Sequence, residues 1–379
     1  MRHADHASVL IAGGGIAGAS LAIHLGRAGL RVELFERAQF PREKPCGEGL
    51  MPAGVAALSR LGLREAAGGV PFRGIRYHLS GHTAEGPFPA IPGFPATGLG
   101  QRRFHLDRVL FEAAAATPGV RAQTGAAVEA PLVGNGRVVG LRVDGAERRA
   151  RLVVAADGVH SRLRHALGLD VPARRKRFAA RAHFRLAAGQ EQPPWVDVFV
   201  RRGYELYVAP LPGRELLVAA LVEPEALAGP IQPVFHRWCR SIPPLAARLE
   251  GAEQSSALLC TSPLAGRARR GFAPGIVLLG DAAGFSDPIT GGGMTQALLT
   301  SEILAGYIRR NDNGSESWVA QFDRERWKLL RDYWRLTQMV LWLAKHPKVA
   351  GRAVAMLARS SAMLSHLVGV AGGIRSLPF

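Results

Sequence analysis

Residues 8–20 read SVLIAGGGIAGAS, an apolar run that feeds Gly13, Gly15 and Gly18 and then a helix-compatible stretch ending near Gly29. The next apolar run, Arg31 to Phe35, closes on Glu36, about the 20-residue offset expected of a dinucleotide fold. Each part has its own physical task. Gly13 permits the tight turn out of the strand, Gly15 lets backbone N–H groups approach a pyrophosphate, and Gly18 lets the helix pack close to the sheet. Ile16 and Ala17 then open a helix whose N-terminal partial charge favours a diphosphate. Glu36, followed by Arg37, can accept hydrogen bonds from both ribose hydroxyls and repels a 2′-phosphate. The expected ligand is therefore FAD or NAD, not NADP.

Composition bounds the rest. With 379 residues, 47% of them hydrophobic, the chain can bury one large core or two ordinary ones. Cys46, Cys239 and Cys260 are odd in number and widely spaced, which argues against a disulfide framework or a metal site and fits a reducing cytoplasm. No signal peptide is visible before the first strand. The net charge of +18 comes from scattered arginines, with local clusters at Arg174 to Arg177 and Arg267 to Arg270. No aromatic residues interleave them as base stacking requires, so nucleic acid is not an expected partner. A solvated basic surface or attraction to anionic lipid remains.

Beyond the first strand–helix–strand unit, helices are expected over Pro52 to Leu61 and Phe104 to Ala116, with strands around Val120, Val128, Val138 and Leu152 to Ala156. From Phe178 to Leu221 the apolar pattern turns to period two, in runs Val196 to Val200, Glu205 to Ala209 and Leu216 to Leu221. These predict an antiparallel sheet. After Ile276 to Leu279 the pattern is helical, with final helices over Trp318 to Ala344 and Lys348 to Ala371. The last of these carries an uncharged run of about 15 residues, too short to span a bilayer.

Two further acid–glycine segments bear on which dinucleotide is bound. In VVAADGVHSRLR, a strand ends in Asp157-Gly158, where the carboxylate is expected either to cap the following helix or to meet the cofactor. In GDAAGFSDPITGGGMTQ, Gly280 and Asp281 leave a buried strand, and Pro288 and Gly291, Gly292, Gly293 and Met294 lead into a long helix. An acid so placed suits a ribityl chain, which NAD lacks, and three glycines opening a helix offer N–H donors to a flavin edge.

In these segments the chain resembles the single-domain FAD proteins that include aromatic hydroxylases, flavin-dependent halogenases and geranylgeranyl reductases. The resemblance also runs through PREKPCGEGLMPAGVAALSRLG and QRRFHLDRVLFEAA. It implies an α/β fold, a Rossmann-like FAD-binding domain interleaved with an antiparallel-sheet substrate domain and a helical C-terminus. The implied FAD-binding domain covers residues 1–170 and 265–315, the substrate domain 72–100 and 172–264, and the C-terminal helices 316–379. The resemblance further implies Arg103 near flavin and diphosphate, Val128 at adenine, Asp281 at ribityl and phosphate, and Pro288 to Met294 beside the isoalloxazine.

Lys44 to Leu50 looks like the CGxGL segment of the prenyl reductases, but Gly203 to Gly213 departs from their Tyr-x-Trp-x-Phe-Pro pattern, and the GWxWxIP segment of tryptophan halogenases is missing. The leading expectation is a monooxygenase. NAD(P)H would bind transiently as reductant, and a flavin C4a-hydroperoxide would pass oxygen to a lipophilic aromatic or polyketide-like substrate. The alternatives are a C=C reductase and a flavoprotein acting on a protein partner. Candidate pocket residues are His183, which sits between Arg181 and Arg185, Trp195, Tyr204, Tyr207 and Cys46. Tyr204 and Tyr207 differ by an odd spacing and should face opposite ways. The aromatic-rich C-terminal region with Arg352, Arg359 and Arg375 is expected either to pack on the FAD domain or to touch lipid at the inner face of the membrane. The oligomeric state is left open.

Overall fold

The computed structural model describes residues 8–171, 177–262, 264–311 and 316–377. Arg174, Arg175 and Lys176 of the first basic cluster lie outside the described residues. Strand Val9–Ala12 is wholly buried and sits inside a six-stranded sheet, between Leu152–Ala155 and Val32–Glu36 and parallel to both. Val120–Thr124 and Ile276–Leu278 extend the sheet in parallel, and Phe272–Ala273 adds an antiparallel edge. Apolar runs without alternation are what strands covered on both faces require. Helix Ile16–Arg27 follows the first strand and covers one face with Leu21, Ile23 and Leu25.

Close approach is built in at two glycines. Gly13 takes a φ of +103°, and a Cβ there would lie 2.3 Å from the Ala156 carbonyl oxygen. A Cβ on Gly18 would lie 1.9 Å from the Gly13 carbonyl oxygen, so only glycine lets the helix leave the turn this tightly.

The second layer is a sheet in the order Glu253–Gln254, Phe178–Arg185, Glu215–Val222, Tyr204–Leu211, Val196–Arg201, Gly74–Leu79, His82–Pro87, with Leu259–Thr261 also paired to Phe178–Arg185. The antiparallel sheet expected from Phe178 to Leu221 is present, and beyond that span one pairing is parallel: Val196–Arg201 with Gly74–Leu79, with Val196 opposite Ile75. Period two sorts the faces as it should. Ala180, Phe184, Phe199, Leu206 and Val218 pack on Phe235 and Trp238 of helix Ile231–Arg240. Val196, Val198, Ala209, Leu217 and Ala219 face the other way, in one cluster with Leu336, Leu364 and Val368 of the C-terminal helices.

Those helices are Val319–Lys345, Pro347–Ala358 and Ser361–Ala371. The single helix expected over Lys348 to Ala371 is broken at Arg359 and Ser360, and its halves meet at 111°. No proline or glycine marks this break. The bend lets both halves pack on strand His82–Pro87, where Leu364 and Val368 cover Gly86. Among the described residues no single helix is long and apolar enough to cross a membrane.

The close contact at Gly18 yields a direct test. Gly18→Val is expected to destabilise the fold by about 3 kcal/mol, because the opposing atom is backbone and cannot rotate away. A urea midpoint unchanged from the parent protein would contradict this packing.

Candidate functional site

The strand–turn–helix of residues 9–27 and the turn of residues 280–294 come together on one cavity of about 830 Å³. Its polar half is lined by Gly13, Gly15, Ile16 and Ala17 from the first segment and by Gly280, Asp281, Pro288, Gly291, Gly293 and Met294 from the second. Glu36, Arg37, Arg103, Val128 and Asp157 complete the same wall. Helices Ile16–Arg27 and Gly293–Arg310 both begin at glycine N-caps that make no side-chain cap hydrogen bond. The donors of the first turn beyond these N-caps are therefore available to an anion or a carbonyl.

Positive charge is concentrated here. Arg103 donates to Asp107 from Nε at 2.6 Å and from Nη2 at 2.8 Å. Arg42 Nη1 lies 3.0 Å from the same carboxylate, and Arg42 Nη2 lies 3.7 Å from Glu36 Oε2. Burial opposes ionisation of Asp107, but the two arginines prevail and hold its pKa below the usual carboxylate range. Lys44 lines the cavity too, and its pKa is lowered, first by burial and then by Arg103. A diphosphate would relieve this crowding of cations.

Glu36 accepts from the Gly14 N–H at 2.9 Å and the Ala38 N–H at 3.0 Å, which fixes its carboxylate at the turn. Asp157 meets the start of the following helix as one expectation held, its Oδ2 accepting from the Leu163 N–H at 3.4 Å, and it shares that end with a second side chain. The N-cap of Arg162–Ala166 is Ser161, whose hydroxyl accepts from the Arg164 N–H at 3.0 Å. The other oxygen of Asp157, Oδ1, is buried without a partner among the described residues, and burial raises the pKa of the carboxyl. An unpaired acceptor on a cavity wall fits a hydroxylated or N–H-bearing ligand. With the uncapped glycines and the cation cluster, the polar half suits a flavin dinucleotide.

The other half is apolar. Met51, Ile75, Val198 and Ala219 line it from the sheet side, and Val340, Val354 and Leu367 close it from the C-terminal helices. At the junction, Tyr207 donates from its hydroxyl to the Ile289 carbonyl at 3.0 Å, tying the sheet to the turn that carries Gly291. Burial pushes its pKa well above the usual phenol range. Cys46 also lines the cavity and accepts from the Glu48 N–H at 3.4 Å.

Several sequence candidates sit elsewhere. Gly292 faces away, its N–H donating to the Tyr333 hydroxyl at 3.1 Å, and a Cβ there would meet the Tyr333 ring at 2.3 Å. Gly18 is off the wall, in the packing position described above. Tyr204 stacks on Trp238 on the opposite sheet face, as the odd spacing required. Trp195 precedes Val196–Arg201, half-buried and outside the cavity wall. His183 is fully buried behind the wall, its Nε2 2.7 Å from Glu48 Oε2 and its Nδ1 2.9 Å from Ser256 Oγ.

Two wall residues were missed from the sequence. Glu48, in the left-handed region at a φ of 52°, accepts from the Arg103 N–H at 3.0 Å and so joins the 44–50 loop to Arg103. Its position between Gly47 and Gly49 was the available signal. Glu205, two residues before Tyr207, shares Arg177 with Asp287. Burial first, and Asp287 beside it, push its pKa up to about 7 against the pull of Arg177.

Known proteins resemble this chain in sequence and in fold. Residues 6–326 match the family described as FAD binding domain. The chain is 32% identical to the menaquinone reductase of Mycobacterium tuberculosis over 333 residues, covering 81% of this chain and 78% of that protein. It is 36% identical to the 6-methylpretetramide 4-monooxygenase of Streptomyces rimosus over 173 residues, covering 43% of this chain and 41% of the other. A flavoprotein/dehydrogenase from Cytophaga hutchinsonii shares the fold, with a TM-score of 0.83 at 20% identity over 97% of this chain and 92% of that one.

Glu205 makes stability depend on pH in a definite direction. With a folded pKa above the unfolded one, its contribution is fully present below about pH 4.5 and lost as pH rises to about 7. Urea melts across that window are expected to show a decline of up to about 3 kcal/mol that Glu205→Gln removes. An identical slope in the variant would contradict the assignment.

Proposed function

The chain belongs to the FAD-binding domain family, and on that premise we propose that it is a monooxygenase acting on a lipophilic aromatic or polyketide-like substrate. The supporting observation is the continuity of the cavity: its cationic, glycine-lined half leads without a partition into an apolar half roofed by the C-terminal helices. When bound and reduced by transiently bound NAD(P)H, FAD would supply the electron transfer and oxygen activation.

Everything else falls to the chain's own residues. Gly13, its N–H held by the Phe35 carbonyl at 2.8 Å, makes the turn, and Gly15 lets the N–H groups of the helix start approach the diphosphate, with Arg42, Lys44 and Arg103 offsetting its charge. Glu36 accepts from the adenosine ribose, Val128 lies at adenine, and Asp281 takes the ribityl hydroxyls. Pro288, Gly291, Gly293 and Met294 border the ring system. Tyr207 keeps that border fixed through the Ile289 carbonyl. The apolar wall excludes water, which protects a reactive oxidant and strengthens every remaining electrostatic contact. A greasy substrate gains roughly 25 cal/mol for each Å² of apolar surface buried there. The proposed setting is the cytoplasm, at the inner face of the membrane.

A second possibility, reduction of a C=C bond, has its own support. Cys46 offers a thiol proton on the cavity wall, and the relative at 32% identity is named a menaquinone reductase. The two reactions differ in what they consume.

Oxygen uptake separates them. With a long-chain alkylphenol as probe, NAD(P)H oxidation is expected to accelerate and to consume oxygen, giving a hydroxylated product. Equal turnover under anaerobic conditions, with a saturated product from a polyprenol probe, would overturn oxygenation in favour of reduction. Asp281→Ala is expected to weaken FAD binding by about tenfold or more in equilibrium dialysis, the scale of one charge-assisted hydrogen bond.

A further inference from the structure

We propose that the outer face of the C-terminal helices docks on an anionic lipid bilayer and that the apolar half of the cavity opens into that face beside Met339. Met339 carries the geometry, since it belongs to the cavity wall and is also 42% exposed. Around it the surface is apolar in a way that packing does not explain. Trp342 is 50% exposed one turn further along the same helix, Met356 is 53% exposed on the next helix, and Met363 is 45% exposed on the last. Helical spacing aligns them. Met339, Trp342 and His346 follow each other at three- and four-residue steps, as do Val349, Arg352, Met356 and Arg359. The opposite sides of these helices supply Val340, Ala350, Val354 and Leu357 to the cavity wall. One thin layer of helix therefore separates the chamber from an exposed greasy surface.

Charge selects the occupant. From Tyr333 to the last residue the sequence contains no aspartate or glutamate, whereas Arg335, Lys345, Lys348, Arg352, Arg359 and Arg375 fall in that stretch. Lys345, Lys348, Arg352 and Arg359 are all exposed and flank the apolar side chains. Apolar side chains with a basic fringe and a half-exposed tryptophan are the composition that settles at the boundary between headgroups and acyl chains. The bent pair Pro347–Ala358 and Ser361–Ala371 then lies along the surface rather than across it, since the halves meet at 111° and pack on His82–Pro87. Docking stands on this surface alone. Only the identity of what passes the opening rests on the proposed lipophilic substrate.

The test is cosedimentation of the FAD-loaded full chain with vesicles of phosphatidylglycerol and phosphatidylethanolamine, compared with phosphatidylcholine alone. Binding is expected to the anionic vesicles, weakening as salt rises. Combined Trp342→Ser and Met356→Ser should lower the bound fraction by about tenfold while FAD binding is kept, as should Arg352→Glu with Arg359→Glu. Val133→Ser, at a 62% exposed apolar position on the distant strand Val128–Gly134, should bind vesicles like the parent. Failure to bind anionic vesicles would overturn the proposal, as would equal loss in the Val133 variant. It would likewise fall if the chain forms a dimer that shields Trp342 from aqueous quenchers and ignores vesicles. None of these outcomes depends on turnover, so they are separable from the oxygen experiment.

Discussion

The structure depends on how closely two helices approach across almost the whole length of the chain. Ser301, in helix Gly293–Arg310, donates from its hydroxyl to the Ala17 carbonyl of helix Ile16–Arg27 at 2.9 Å. Small residues make that distance possible: a Cβ on Gly280 would sit 3.0 Å from the Ala17 Cβ. Met51 is drawn to the same helix by donating its N–H to Thr295 Oγ at 3.2 Å. The consequence is geometric. Two glycine-opened helix N-termini, encoded far apart, point into one cavity and can grip the two ends of one extended ligand.

The cavity is polarised along its length because different layers supply its walls. Loops leaving the parallel sheet bring backbone donors and cations, held in place by Asp107 and Glu48, whose burial is tolerated only because each has its partners. The second sheet brings one face of a period-two pattern, and the C-terminal helices close over it. Tyr207 stands where the two meet. An apolar surface of this kind would collapse into core if the helices could descend on the sheet. They are held off by their packing on His82–Pro87 and by the buried pair Thr290–Thr337, whose hydroxyls lie 2.7 Å apart.

Local patterns in the sequence made the polar half of the cavity legible. A strand, three glycines and Glu36 occupy one continuous segment, so their spacing carries their geometry. Asp281 and the glycines after it were legible for the same reason, although Gly292 turned out to serve Tyr333, a neighbour forty-one positions away. What failed was everything decided by distant partners. His183 was a pocket candidate by residue type, yet Glu48 and Ser256 claim both its ring nitrogens. Tyr204 and Tyr207 were correctly assigned to opposite faces, but only the fold tells which face holds the cavity. The break at Arg359 and Ser360 has no local breaker, since it follows from tertiary packing. Parallel pairing of Val196–Arg201 with Gly74–Leu79 likewise joins segments that no periodicity links.

In the proposed reaction a lipophilic molecule in the apolar half lies in contact with the flavin ring in the polar half. Titrating the FAD-loaded protein with a long-chain alkylphenol while recording bound-flavin fluorescence tests it most directly. The expected result is a saturable change that disappears in Val198→Trp or Val200→Trp, since both side chains line the cavity and the larger ring is expected to fill the apolar half while FAD binding is kept. A flavin signal indifferent to the alkylphenol, or tryptophan variants responding like the parent, would contradict it.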